Sequence, residues 1–308
     1  MAIVEQVRFD GQVAVISGAG RGLGRAHALL LAARGAKVVV NDLGTEIRGG
    51  GSSQEPASAV ADEIRAAGGE AIPHFGDVAD PEGPSAVEAA VAEYGRVDIV
   101  ISNAGYSKYV AFGESSIDDL QHLLRLHVHG AYNLCRAAWP HFVGQGYGRI
   151  VLTTSSAGLY GTFDRVPYST AKMALVGMTK SLAIDGADAG IRANAVAPAA
   201  FTRLSANGAV PEMREKMERE GRPELVSPVF AWLAHPDCPV TGETFHVSAG
   251  RVSHVFVGET AGYVDPELTV EDVRDHWAEL NDAEGYLVPA NSYASQFEAM
   301  RIAREATV

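Results

Sequence analysis

The chain has 308 residues, 47% hydrophobic and 20% charged, with a net charge of −13. This composition carries a sizeable core, and its acidity argues against nucleic acid or an anionic membrane surface as partner, leaving room for an anionic small molecule on a local basic patch. Two cysteines, Cys135 and Cys238, make neither a disulfide framework nor a metal-ligand pattern, so no metal is expected.

The opening "MAIVEQVRFDGQVAVISG" places Glu5, Arg8 and Asp10 beside its apolar run, unlike a signal peptide. No apolar stretch approaches the roughly 20 residues of a membrane span, and the terminal "REATV" is not an SKL-type address. A soluble protein of the reducing cytosol is the expectation.

Strand-like runs follow in order: "QVAVIS" (12–17), "AKVVVND" (36–42), "EAIPHF" (70–75), "RVDIVISN" (96–103), "GRIVLTTS" (148–155) and "IRANAVAP" (191–198). Each of the first five precedes a helical pattern of ten or more residues, such as "GLGRAHALLLAARG", closed by Gly35, or "ASAVADEIRAAGG", closed by Gly68 and Gly69. Strict alternation predicts βαβ units and a parallel sheet with helices on both faces. Outside that rhythm stand a Gly/Ser-rich insertion, "LGTEIRGGGSSQE" (43–55), and the tail 251–308. In the tail, Thr269 and Asp272 form a capping-box pattern before "VRDHWAEL", and "YASQFEAMRIAREA" predicts a last helix. One domain over 1–250 with a C-terminal extension over 251–308, packed on the same domain or on a partner, is expected.

"ISGAGRGLGRAHALL" runs from the first strand into the first helix, with glycines at 18, 20, 22 and 24. Such a turn lets backbone approach a pyrophosphate, which then meets the free N–H groups of the helix start. Asp42 ends the second strand 18 residues after Gly24, where a carboxylate accepts from a ribose 2′-hydroxyl and repels a 2′-phosphate. NAD is therefore expected over NADP, although Arg21 pulls the other way and Asp42 could be an ordinary turn residue. Tyr168 and Lys172, four apart in "VPYSTAKMAL", share one face of a helix.

These residues resemble the short-chain dehydrogenase/reductase family over about residues 10–250. The resemblance rests on Gly18, Gly22 and Gly24, Asp77 in "FGDV", "SNAG" at 102–105, "YSTAK" at 168–172, and Ser155 placed 13 residues before Tyr168. It implies a Rossmann-type α/β fold, a doubly wound parallel sheet in three layers. It implies a dinucleotide held by Gly18, Arg21, Gly22, Leu23, Gly24, Asp42, Asp77, Val78, Asn103, Ala104, Gly105, Pro198 and Thr202, with Tyr168 and Lys172. Tyr168 would exchange a proton with the substrate oxygen and Ser155 would orient that oxygen. Lys172 would hold the nicotinamide ribose and favour the phenolate by its charge.

Three departures stand out. Ser102 replaces the family's first asparagine, leaving one strand–strand contact in doubt, and Pro198 is followed by Ala199 rather than glycine. His127 stands where the family carries an asparagine of the proton relay; it could hold the relay water, pass the proton itself, or merely hydrogen-bond inside its helix. The histidine, "VVVNDLG" with its insertion, "RAAWPHF", "GRIVLTTSSAGLYGTF" and the tail are similar to one branch, the (3R)-hydroxyacyl-CoA dehydrogenase units of type 2 multifunctional enzymes, also called 17β-hydroxysteroid dehydrogenase type 4. The branch implies NAD-dependent oxidation of (3R)-hydroxyacyl-CoA in β-oxidation and a homodimer; a chain ending here would be a stand-alone dehydrogenase. Lys108, Arg203, Arg214 and Lys216 are candidate contacts for CoA phosphates or ordinary solvated charges. The stretch 207–221, with Met213 and Met217, is expected to cover the substrate. The alternatives are a steroid or other secondary-alcohol dehydrogenase and a non-catalytic dinucleotide-binding protein.

Overall fold

The computed structural model describes residues 6–46, 50–82, 85–200 and 219–305. The chain divides into two compact units, Met1–His254 and Val255–Val308. The first is built on β1 (Val13–Ser17), α1 (Gly22–Ala33), β2 (Lys37–Asn41), α2 (Glu55–Ala66), β3 (Glu70–His74), α3 (Ala86–Tyr94) and β4 (Ile99–Ser102). It continues through α4 (Ile117–Leu124), α5 (Gly130–Gln145), β5 (Gly148–Thr153), α6 (Ser156–Tyr160), α7 (Val166–Asp185), β6 (Ile191–Ala199), a helix at Ser227–Ala234, β7 (Thr244–Ser248) and β8 (Arg251–Val255).

The strands lie in the order β3-β2-β1-β4-β5-β6-β7-β8, and β1 through β7 pair in parallel, with Ile16 opposite Val40 and Ile101. The two-residue link Ala249–Gly250 returns β8 beside β7 as a hairpin. The Rossmann-type expectation therefore holds, with one addition: Arg251–Val255 was expected to be tail. Its exposed, polar-rich alternation gives little strand signal until β7 offers an edge to pair with.

Alternation along each strand separates two cores. Ala14, Ile16, Val38 and Val40 pack with α1, α2 and Phe230 on one side, while Val13, Val15, Val39 and Val100 pack with α3, α5 and α7 on the other. The crossover direction reverses between β1 and β4, and the crevice beyond the carboxyl ends of such a pair is where open α/β sheets bind ligands. In the second unit, Thr269 and Asp272 form the expected capping box, but the helix breaks at His276 into Val270–Asp275 and Trp277–Leu280; the last helix runs Ser292–Glu305. Among the described residues, no helix is long and apolar enough to cross a membrane.

His27 of α1 is fully buried, stacked on Phe230 with ring centroids 3.9 Å apart and with Nδ1 2.8 Å from Ser227 Oγ. Burial pushes its pKa down to about 3, so the unfolded chain binds a proton that the folded one refuses. Stability present above pH 6.5 is therefore lost as pH falls from 6.5 toward 3, at up to about 1.4 kcal/mol per pH unit. Melting temperatures between pH 7.5 and 4.5 test this: His27→Gln, which keeps a hydrogen-bonding amide, flattens the dependence below pH 6.5 relative to the unaltered chain.

Candidate active site

The glycine-turn end of the cleft is organised by closure of the β1 turn on the loop after β4. Gly18 turns with φ +64°, and a Cβ there would lie 2.8 Å from the Ala104 Cα, so the β1 turn and the loop after β4 meet only through glycine. Ser17 Oγ accepts from the backbone N–H groups of Asn103 and Ala104 at 3.0 and 3.1 Å, and the Asn103 amide donates to the carbonyls of Ser17 and Gly18. These bonds resolve the doubt raised by Ser102: Ser17 and Asn103 tie β1 to β4 from the adjacent positions.

Arg21 at the start of α1 makes no capping bond and no acidic residue follows in the first turn. The N–H groups around Gly22 and Leu23 are therefore left to a ligand, and both residues line the cleft with Gly18. Gly24 is buried behind them. Asp42 is fixed by the N–H groups of Gly20 (2.8 Å) and Gly44 (2.7 Å), so a carboxylate charge is held at this end. Arg21 donates at 3.4 Å to the Thr45 carbonyl. Asp77 accepts from Ala79 N–H and pairs with Arg125 at 2.9 Å, beside Val78.

The Tyr168 end is built where β5 stops. Ser155 caps α6, accepting from Ala157 N–H at 3.2 Å, and lines the cleft with Tyr168. Tyr168 packs in a small apolar cluster with Leu123, Ala157 and Ala171. One turn on, Lys172 is 4% exposed; its Nζ donates to the Thr153 carbonyl at 2.7 Å and its own carbonyl accepts from Thr154 Oγ1 at 2.6 Å. Lys172 Nζ lies 5.8 Å from the Tyr168 ring centroid.

The electrostatics differ from the sequence expectation. Burial lowers Lys172 to about 7 and raises Tyr168 above its ordinary value; the influences favouring the phenolate are the Ser155 hydroxyl and the Arg165 charge. A lysine stripped of water loses much of its charge at neutral pH, so in this cleft it is a weaker pKa-tuning group than an exposed ammonium would be.

His127 lies in a π-helical turn, Arg125–His129, between α4 and α5. Its Nε2 contacts the Tyr106 carbonyl at 2.8 Å, which makes Nε2 the donor and leaves Nδ1 a buried acceptor without a protein partner. Burial and nearby Lys172 hold its pKa well below 6.5. The imidazole is thus held in its neutral form, donating at Nε2 and leaving Nδ1 as an acceptor toward the cleft it lines. Its ring meets that of Tyr168 edge-on at 5.5 Å.

Both ends open into one cleft of about 1370 Å³, lined also by Asn103, Ala104, Gly105 and Pro198. That exceeds the usual single-ligand pocket and suits a dinucleotide and substrate together. Thr202, Arg203, Met213, Arg214, Lys216 and Met217, with most of the 207–221 stretch, lie outside the described residues. Lys108 is paired to Asp119 and is not a free phosphate contact. Sequence reasoning passed over Arg165 and Tyr109, which face the cleft; the only signal was a cation three residues before Tyr168. Among the described residues no cluster of His, Cys, Asp or Glu could hold a metal.

The family model described as short chain dehydrogenase matches residues 12–213. Peroxisomal multifunctional enzyme A of Dictyostelium discoideum is 41% identical over 289 residues, covering 94% of this chain and 64% of that protein. The full-length peroxisomal multifunctional enzyme type 2 of Drosophila melanogaster superposes with a TM-score of 0.79 at 31% identity, covering 97% of this chain and 50% of that one. The chain thus spans about half to two thirds of these relatives. A 7α-hydroxysteroid dehydrogenase complexed with NADH and 7-oxo glycochenodeoxycholic acid aligns with a TM-score of 0.70 at 29% identity over 79% of this chain and 95% of that one.

A Cβ on Gly105 would lie 2.1 Å from His127 Cε1 and 2.7 Å from Nδ1. Gly105→Ala should therefore displace the imidazole and cost about 1–3 kcal/mol in urea unfolding. Adding His127→Asn, which shortens the opposing side chain, should recover part of that loss.

Proposed function

Because the chain belongs to the short-chain dehydrogenase family, whose members are oxidoreductases acting on CH–OH donors, we propose that it is an NAD-dependent dehydrogenase of (3R)-hydroxyacyl-CoA thioesters, forming 3-ketoacyl-CoA in fatty-acid or sterol side-chain β-oxidation. The observation that carries the catalytic part is that Ser155, Tyr168 and Lys172 line the same cleft as the glycine turn and Asp42. The acyl-CoA part is supported by near-full-length similarity to the dehydrogenase portion of multifunctional enzymes.

The uncapped start of α1 and the fixed Asp42 carboxylate fit a nicotinamide dinucleotide, which when bound supplies the hydride acceptor. The N–H groups around Gly22 and Leu23 would hold its pyrophosphate, and Asp42 its adenine ribose. Asp77 and Val78 would flank the adenine, and Pro198 the nicotinamide. Lys172 would hold the second ribose. Tyr168 accepts the proton of the substrate hydroxyl at its phenolic oxygen, while Ser155 donates to the same substrate oxygen and orients it. The proton would leave the phenol by way of the Lys172 amine to a relay water that donates to His127 Nδ1. Because burial raises Tyr168, the reactive phenolate grows with pH, and oxidation should accelerate from neutral into alkaline solution.

The same reading makes the protein a cytoplasmic homodimer; two buried, unpaired cysteines suit a reducing compartment. Sedimentation showing a stable monomer would remove the dimer.

The decisive assay follows reduced nicotinamide when the protein meets NAD and a (3R)-hydroxyacyl-CoA, its (3S) epimer, or hydroxysteroids. Turnover of the (3R) thioester is expected; turnover confined to a steroid would refute the acyl-CoA assignment. Tyr168→Phe should cut the rate by ~10²–10⁴-fold while calorimetry shows NAD binding retained. Asp42→Asn should narrow the preference for NAD over NADP in kcat/KM by at least about tenfold, since it removes the charge that repels a 2′-phosphate.

A further inference from the structure

Arg165 immediately precedes α7 and lines the cleft beside Tyr168, Tyr106 and Tyr109. Its guanidinium carbon lies 3.7 Å from the centroid of the Tyr109 ring, so the planar group is stacked and aimed rather than free in solvent. The backbone behind it is strained: Asp164 has φ +55°, unusual for a residue with a Cβ, and its carbonyl accepts from Val110 N–H at 2.7 Å. That bond fixes the Tyr109 loop to the start of α7, so the loop and the arginine are placed together.

The other cations of this cleft are committed. Arg125 pairs with Asp77 and Arg25 with Glu63, while Arg21 donates to the Thr45 carbonyl and Lys172 to the Thr153 carbonyl. Arg165 has no carboxylate partner among the described residues, and its Nε is buried without a hydrogen-bond acceptor. A buried N–H left unmade costs stability, and a guanidinium, which stays charged, makes the omission more expensive. The economical explanation is an acceptor that arrives with the substrate.

Position decides which acceptor. Arg165 is the residue immediately before α7, three before Tyr168, and lines the same cleft as the phenol, on which its charge acts. The reacting oxygen already has Tyr168 and Ser155. The phosphates of a CoA are separated from the reacting carbon by the whole pantetheine arm, and so cannot reach a group this near the phenol. What remains is a second oxygen close to the carbinol. We propose that Arg165 is a substrate-positioning residue that binds a carbonyl oxygen in 1,3 relation to the reacting hydroxyl, selecting 3-hydroxyacyl substrates over simple secondary alcohols. The proposal rests on the dehydrogenase reading above and adds to it the residue that recognises the acyl group.

The test compares two substrates with NAD: the N-acetylcysteamine thioester of (3R)-hydroxybutanoate, and a secondary alcohol of matched length in which a methylene replaces the thioester carbonyl. Arg165→Gln should lower kcat/KM for the thioester by ~10–100-fold, the size of a lost charge-assisted hydrogen bond, with most of the loss in KM. For the plain alcohol it should change less than about threefold. Arg165→Lys should restore part of the thioester activity. Tyr109→Leu, which removes the stacking platform at a half-exposed position, should give an intermediate loss on the thioester alone. Melting temperatures of all three variants should stay close to that of the unaltered chain. Equal losses on both substrates would overturn the proposal, because Arg165 would then act only through the Tyr168 phenol; so would no loss on either. An unaltered enzyme that oxidises the alcohol but not the thioester defeats the positioning role and leaves the dehydrogenase standing. An enzyme oxidising neither substrate defeats both.

Discussion

The burial of Lys172 is the constraint around which the active site is arranged. A lysine amine at 4% exposure is costly unless its donors are used, and here the chain uses them by ending β5 where the Thr153 carbonyl meets Nζ. Thr154 then anchors the lysine's own carbonyl, so the first turns of α7 are clamped to the sheet at two points. Tyr168 inherits its position from that clamp, and Ser155 follows because the same strand end must turn into α6. Three residues from two separate segments are thereby held together by backbone geometry rather than by direct pairing.

That arrangement has an electrostatic cost. Burial penalises the charged forms of Lys172, Tyr168 and His127 alike, which pushes the phenol upward and both bases downward. Nearby polar groups offset this: the Ser155 hydroxyl and the Arg165 charge favour the phenolate, and the Tyr106 carbonyl takes the imidazole N–H. The neutral imidazole is a consequence with chemical content, since it leaves a lone pair at Nδ1 and removes a competing cation from beside Lys172. Gly105 is part of the same solution, because only a residue without Cβ leaves room for a ring at His127.

Much of the fold was readable from pattern. Continuous apolar strands followed by helix signals forecast β1 to β6 and the helices between them, because strands buried on both faces admit few polar residues. Edge structure was less visible. Arg251–Val255 has no buried-strand signature, since an edge strand need not exclude polar residues, and the helix after Thr269 breaks at His276 despite an intact capping box. In the site, the glycine turn, Asp42 and the Tyr168–Lys172 pair were nameable from spacings set by local backbone geometry, and Ser155 from the family resemblance. Arg165 and Ser17 were not, because their importance lies in what faces them across the cleft or on the neighbouring strand.

The sequence by itself determined the alternation that makes a parallel sheet, the glycine turn that opens α1, and the one-turn interval between Tyr168 and Lys172. All of these are local, fixed by helix pitch, strand period and the absence of a Cβ. Only the tertiary structure decided how those groups behave. It set the strand order that puts the turn and the end of β5 on either side of β4, the depth that lowers Lys172 to about 7, the neutrality of His127, and a guanidinium at Arg165 with no carboxylate partner among the described residues. Protonation and pairing depend on solvent exclusion and on neighbours distant in the chain, and neither is written in the spacing of residues.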